Sequence, residues 1–265
     1  GDRDYYLLND KENTRIRDAY KKLIVNQMIN AGYKKKDATR IMKNVLKIET
    51  AIADSALTRE ESRNIVAMYN PRSLEQLKAD YPNIDWSRYF VETMDIDTPQ
   101  EFILTEPKGM KQADNLLASL TDREIKDYYL WKYVAQAAPY LSDKFTDTAF
   151  EFSKVKSGVQ QQRPRWKRAL GVPDGYMGEA IGRLYVEKHF PETSKQKMLD
   201  LVGNLKTALG KHIINLPWMT DETKLKAIEK LNSFTVKIGY PDKWKDYSAM
   251  EIDPALSYYR NVHNA

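Results

Sequence analysis

Apolar residues recur at intervals of three and four along most of this chain, the spacing that lines one face of a helix. The first run, Ile16, Tyr20, Leu23, Ile24 and Met28, predicts a helix capped by Asn13 or Thr14 and closed by Gly32. After the Lys34-Lys35-Lys36 cluster, a run through Ala38, Ile41, Met42, Val45, Ile48, Ile52 and Ala53 predicts a long helix. Thr58 with Glu61 and Ser73 with Gln76 have the spacing of capping boxes, in which each side chain satisfies an orphan backbone N–H of the other residue. The helix opened by the first box must end near Tyr69-Asn70, because Pro71 disfavours a helical residue before it. Asp85 caps a segment carrying Trp86, Tyr89 and Phe90, and Glu101 to Thr105 reads as a short extended piece ending at Pro107.

A third box, Thr121 with Glu124, opens a helix rich in aromatics (Tyr128, Tyr129, Trp131, Tyr133) that Pro139 ends. Ser142 or Asp143 caps the next helix, which carries Phe145, Ala149, Phe152 and Val155 up to Gly158. Val159 to Pro164 is loop-like, and Arg165 to Gly171 is a short turn of helix. From Gly178 to Phe190 a helix places Met177, Ala180, Ile181, Leu184, Tyr185 and His189 on one broad stripe, flanked by Gly178 and Gly182. Two such glycines cost roughly 1 kcal/mol each in a helix interior, so their missing Cβ atoms predict tight contact with another element. The helix therefore reads as a central one, contacted on most sides.

After Pro191 a long helix runs through Met198, Leu201, Val202, Leu205, Leu209 and Ile213 to a stop at Pro217. Thr220 caps a helix with Leu225, Ile228 and Leu231; Phe234 to Ile238 alternates like a strand; Gly239-Tyr240-Pro241-Asp242 is turn chemistry. Tyr258 to Ala265 reads as a final helix. The fold class is mainly α, a multi-helix lobe with one or two short extended segments and no internal repeat.

Composition narrows the functional classes. The 265 residues are 42% hydrophobic and 30% charged, an ordinary globular balance with room for a substantial core in one domain or two. Mean hydropathy is −0.65, and no apolar run approaches the ~18 residues that a membrane-spanning helix needs. The polar opening Gly1-Asp2-Arg3-Asp4 has no signal-segment character and reads as the middle of a longer protein. The net charge of +5 comes from 42 basic residues interleaved with 37 acidic ones, not gathered in a block. With no cysteine, a disulfide framework, a thiolate zinc site and cysteine catalysis are excluded.

Candidate chemistry is sparse. His189, His212 and His263 are far apart, and none begins the H-E-x-x-H that sets two ligands on one helix face. His189 is expected to border the core and His212 to sit near a helix end, where a cation is favoured. No metal or catalytic residue is expected in the chain, and substrate-binding residues are not assigned. Phosphate-binding glycine loops and a G-x-S-x-G elbow are missing, and Asp95 with Asp97 carries no catalytic signature. Arg163, Arg165, Lys167 and Arg168 surround Trp166, a mix of charge and stacking surface to which Lys34–Lys36 add a second cluster. These define the alternative reading, a free-standing helical interaction module for an acidic partner or nucleic acid. Tyr128, Tyr129, Trp131 and Tyr133 could wall a ligand, though aromatic stripes on helices more often belong to a core.

Several stretches, in order, resemble the neprilysin family of zinc metallopeptidases, most closely its bacterial oligopeptidase members. Gly1 to Tyr6 resembles the family's L-P-x-R-D-Y-Y segment, and Val45 to Ala53 is similar to its V-x-x-[IL]-E-x-x-[IL]-A helix. Met68-Tyr69-Asn70, Asp85-Trp86 and Arg165-Trp166 follow at familiar distances. Gly178 to Phe190 matches G-x-A-[IV]-G-R-L-Y-V-x-x-x-F, and Trp218-Met219, Glu222-Thr223 and Ile238 to Asp242 complete the series. The resemblance covers essentially the whole chain.

It implies a two-lobed, chamber-forming zinc endopeptidase that cleaves oligopeptides. It also implies that this chain is the non-catalytic helical lobe (residues 1–233) plus the start of a connection towards the catalytic lobe (234–265). The family's H-E-x-x-H, its downstream E-x-x-x-D and its N-A-Y/F segment do not occur; Asn264-Ala265 lies too soon after Asp242 to be the last of these. Zinc is therefore implied for the intact parent only, with oligopeptides and the protein's own catalytic lobe as partners and no nucleic acid. Ala169 stands where animal relatives tend to have a disulfide cysteine, which implies a bacterial member held by packing alone, of the cell envelope or secreted. Within that lobe the Gly178–Phe190 helix would be the central strut, with Arg183 and Glu187 in buried pairing.

Overall fold

The computed structural model describes residues 3–97, 99 and 101–265, the His263 side chain excepted. Gly1 and Asp2 of the opening motif lie outside the described residues. The chain forms two compact units that divide between Gln162 and Arg163.

The first unit begins with α1 (Asp4–Leu7) and α2 (Lys11–Asn30). Asp10, not Asn13 or Thr14, caps α2: its carboxylate accepts from the backbone N–H of Glu12 and Asn13, so the two expected caps fall inside the helix. After Gly32, at φ 94°, α3 runs from Lys35 to Ser55 as its periodicity predicts. The Thr58/Glu61 box forms in both directions, at 3.1 and 2.8 Å, yet opens only one 3₁₀ turn, Glu61–Arg63. Asn64 interrupts it at φ −83°, ψ 86°, and its side chain caps a new short helix, α4 (Ile65–Met68).

Pro71–Ser73 forms strand β1, which leads into α5 (Leu74–Asp80) through the Ser73/Gln76 box. Asp85 caps α6 (Trp86–Arg88), which widens into a single π turn over Tyr89–Thr93. β2 (Glu101–Ile103) pairs antiparallel with β1, with Arg72 opposite Phe102. Pro107 does not close the extended piece but begins α7 (Pro107–Ser119), where its missing N–H costs nothing. The Thr121/Glu124 box opens α8 (Asp122–Ala137), and α9 (Asp143–Ser157) ends at left-handed Gly158.

Two apolar clusters hold this unit. Ile24, Met28, Ala38, Ile41, Val45, Trp131, Val134, Ala138 and Phe145 join α2, α3, α8 and α9. Leu77, Tyr81, Trp86, Phe90 and Leu104 gather beside the two-stranded ribbon.

In the second unit α10 (Arg165–His189) consists of two helical stretches meeting at Met177, whose φ −134° and ψ 40° break the helix. Pro173 lies in the first stretch, and Gly175 and Gly178 weaken the helix on either side of the break. The expected short turn at Arg165–Gly171 is thus the start of a longer segment. α11 (Glu192–Ile214) packs against α12 (Asp221–Asn232), which Thr220 caps, and α13 (Tyr258–Asn264) is capped by Ser257. Phe234–Ile238 is not a strand: the only ladder among the described residues is β1–β2, and an alternating segment without a neighbour has nowhere to place its backbone bonds. The fold is mainly α, with two short strands.

Candidate functional site

The densest polar constellation lies where α3 crosses α8. Asp37, Arg40, Asn44 and Lys47 repeat at three and four residues, a polar seam running beside the apolar stripe of Ile41, Val45 and Ile48. Arg40 donates through Nε and Nη2 to Asp127 at 3.0 and 3.3 Å, and Asn44 Nδ2 donates to the same carboxylate at 2.8 Å. Asp37 also pairs with Arg40. Asp127 is buried, so three donors compensate its charge, and the paired carboxylates raise the Arg40 guanidinium above its ordinary value. One turn away Lys47 binds Glu124 at 2.6 Å; with the Thr121 backbone and hydroxyl it holds that carboxyl at about 2, well below its ordinary 4.5.

Further along α3, Glu49 accepts from the hydroxyls of Tyr6 at 3.0 Å and Tyr20 at 3.3 Å, and Trp131 Nε1 donates to Tyr20 at 3.0 Å. Burial first, and the Glu49 charge second, push both phenols above their ordinary value of 10.0. They remain protonated donors and cannot act as bases near neutrality. Asp114, fully buried, accepts from Asn83 N and Nδ2 at 2.8 and 3.0 Å and pins the turn before α6. These groups tie helices together; their hydrogen bonds are spent on each other.

The second unit has a joint of the same kind. Lys195 is buried on α11; its Nζ donates to Tyr240 O at 3.1 Å and Asp242 Oδ1 at 2.7 Å and sits 4.3 Å from the Tyr240 ring centroid. Tyr240 OH donates to Glu192, and its ring stacks on Trp244 at 5.8 Å. Gly239, at φ 69°, brings the backbone against the Phe190 ring, where a Cβ would overlap it. The Gly239–Asp242 turn thereby fastens the following segment to α10 and α11, and Glu179 accepts from Lys245 N at 2.8 Å. Lys195 is raised and Asp242 lowered, chiefly by their mutual hydrogen bond.

The residues singled out in the sequence do not converge. His189 is exposed and lies 4.9 Å from the Tyr185 ring, and His212 is exposed in the last turn of α11, so His189 does not border a core here. The His263 side chain is outside the description. Asp95 and Asp97 lie on an exposed loop. Arg183 and Glu187 are not a buried pair: they face each other at 3.4 Å on the exposed side of α10, one turn apart.

Nor is α10 a central helix within this chain, because none of its residues is buried. The positions of Gly178 and Gly182 meet only Asp174 and Trp244, at ordinary contact distances of 3.9 and 3.8 Å, and no neighbouring backbone approaches them. Trp166 is exposed with the Lys167 ammonium 5.3 Å from its ring, and Lys35, Lys36, Thr39, Arg40 and Lys43 border an open groove of about 550 Å³. Trp131 belongs to the core while Tyr129 and Tyr133 are exposed, so these aromatics do not share one wall.

Sequence reading missed the α3–α8 seam, although its signal was present in the spacing of Asp37, Arg40, Asn44 and Lys47 against Glu124 and Asp127. Among the described residues no three His, Cys, Asp or Glu side chains come together in a way that could hold a metal ion. The described residues do not fit a zinc site. No helix among the described residues is long and apolar enough to cross a membrane.

The model of peptidase family M13 matches residues 1–241, and the chain belongs to that family. It is 32% identical to a neutral endopeptidase of Lactobacillus helveticus over 94% of this chain and 39% of that protein. It is 30% identical to neprilysin-11 of Caenorhabditis elegans over 98% of this chain and 33% of that protein. Among solved structures, the zinc metalloprotease Zmp1 of Mycobacterium tuberculosis in its open state superposes with a TM-score of 0.86 at 32% identity, covering all of this chain and 41% of that one. PepO of Lactobacillus rhamnosus shares the fold, with a TM-score of 0.84 at 20% identity. The chain spans about two fifths or less of these proteins.

Proposed function

We propose that this chain is the non-catalytic helical lobe of a zinc metalloendopeptidase that cleaves oligopeptides. In this reading residues 1–233 form chamber wall and size filter, and residues 234–265 begin the connection to a catalytic lobe outside the sequence. The observation that carries the reading is the family match across residues 1–241. The ordered neprilysin-like motifs and the Zmp1 superposition support it. Zinc would supply the hydrolytic chemistry of the intact parent from ligands in that other lobe, and this chain's residues would select what reaches it. Oligopeptides and the catalytic lobe are then the partners, and the cell envelope or the outside of a bacterial cell the setting.

The test compares the 265-residue chain with the complete parent polypeptide. Expected are stoichiometric zinc by metal analysis, and zinc-dependent turnover of a fluorogenic peptide, in the complete polypeptide and neither in the chain alone. Zinc-dependent turnover by the chain alone, or none by the complete polypeptide, rejects the reading. The nucleic-acid alternative is not favoured by the family match; it requires salt-sensitive retention on heparin that Arg165→Glu/Lys167→Glu abolishes.

A further inference from the structure

α11 carries more apolar surface than this chain covers. Gly210 lies on the side that packs on α12, against Leu231 and Ile228. Gln196, Asp200, Asn204, Thr207 and Lys211 form a polar arc that adjoins that side, centred about 80° from Gly210. Met198, Leu201, Leu205 and Leu209 fall, at 3.6 residues per turn, within an arc of about 80° on the side of the helix away from both. They are 41, 48, 59 and 46% exposed. The packed side and this stripe together form an apolar face too wide for a single neighbouring helix. The rest of the unit does not supply a second one, for Leu231 is the sole buried apolar side chain among its described residues. A unit of about a hundred residues that is stable by itself buries far more than that.

We propose that the Met198–Leu201–Leu205–Leu209 stripe seats an apolar helical segment of the same parent polypeptide, from the part outside these 265 residues. The larger part of such a polypeptide lies there, since the chain spans 39% of the Lactobacillus relative and 41% of the mycobacterial structure. The stripe is about 16 Å long at 1.5 Å per residue, three turns, which suits a helix laid alongside. A second copy of the chain is the weaker occupant. Four half-exposed side chains offer on the order of 200 Å² of apolar area. Two such faces would bury on the order of 400 Å², well short of the roughly 1,200 Å² of a stable dimer. A covalently tethered segment needs no such area, because tethering replaces association from bulk solution.

The inference rests on membership of the family and not on the peptidase reading. Because the chain has no cysteine, Leu205→Cys places a single thiol in it without a large change in volume. Its maleimide-labelling rate, mapped to the site by mass spectrometry, is compared between the chain and the complete polypeptide, with exposed Lys226→Cys as control. Expected is fast labelling of both sites in the chain, and at least tenfold slower labelling of residue 205 alone in the complete polypeptide. Equal rates at 205 in the two forms overturn the proposal, as does protection already present in the chain or protection that grows with chain concentration. The readout does not depend on activity, so a protected thiol in a polypeptide without peptidase activity keeps this inference and rejects the function proposed above.

Discussion

The two units are equally helical but differ in what their helices cover. Up to Gln162, α2, α3, α8 and α9 face one another, and Ile24, Met28, Ala38, Ile41 and Val45 lose all contact with solvent. Buried polar residues of that unit also bond across helices, as Asp127 does to Arg40 and Asn44. From Arg163 onward, helices of comparable periodicity leave Leu184, Leu201, Leu205 and Leu225 open, and order comes from local joints such as Lys195 with Asp242 and Tyr240. Amphipathic spacing thus specifies a helix and its apolar side, but not that the same stretch of chain brings the cover for it.

The comparison is broken most directly by truncating one apolar side chain in each unit. Ile41→Ala should lower stability by about 2–5 kcal/mol, because it removes packed methyl groups and leaves a cavity. Leu205→Ala should stay within about 0.5 kcal/mol, as an exposed change does. Urea denaturation of the 265-residue chain, followed by circular dichroism, measures both. A loss at Leu205 as large as that at Ile41 would show that α11 is covered within the chain, and the contrast between the units would be wrong.

The long helices α2, α3, α8, α9, α11 and α12, the three capping boxes, the left-handed stop at Gly158 and the Gly239 turn were legible, because each depends on residues within a few positions of one another, whereas α7 (Pro107–Ser119) was not read as a helix. The short strand β1 was not, since Pro71–Ser73 becomes a strand only through β2, some thirty residues away. Phe234–Ile238 failed in the opposite sense, having the alternation of a strand and no partner. The Gly178–Phe190 helix is the most instructive case. Its motif identifies the family, yet the inference from its glycines to close packing fails in this chain, where Gly182 meets only the Trp244 ring. At the candidate site, the α3–α8 seam was not read, because it required knowing which helices cross.

Two glycines sharpen the comparison at smaller scale. Gly158 and Gly239 have nearly the same backbone, φ 70° and 69°, but a Cβ at Gly158 would enter open space and one at Gly239 would overlap Phe190. Gly158→Ala should therefore cost only the left-handed penalty, roughly 1 kcal/mol. Gly239→Ala should cost that plus about 1–3 kcal/mol of overpacking. Hydrogen exchange over residues 239–247 should accelerate in Gly239→Ala and not in Gly158→Ala. Equal destabilisation of the two variants would mean that the Phe190 contact yields freely and that the second unit is looser at its joint than the geometry implies.

The smallest effect concerns acid, at the edge of the better-packed unit. Glu124 is held from its ordinary 4.5 down to about 2, first by the Lys47 hydrogen bond and then by the Thr121 backbone and hydroxyl. A carboxyl lowered on folding binds its proton more weakly in the native state, so it favours the folded chain wherever the unfolded one has ionised. Its contribution is complete above about pH 4.5 and disappears as pH falls towards 2. Glu124→Gln should accordingly match the parent chain near pH 2 and fall increasingly below it up to pH 5, with a constant gap thereafter. Urea midpoints taken at half-unit steps resolve this. Asp242, lowered by Lys195, has the same sign but begins from an ordinary 3.8. Asp242→Asn should therefore reach its constant gap at a lower pH than Glu124→Gln, and a gap for either variant that is independent of pH would show that the carboxylate charge is not what that joint uses.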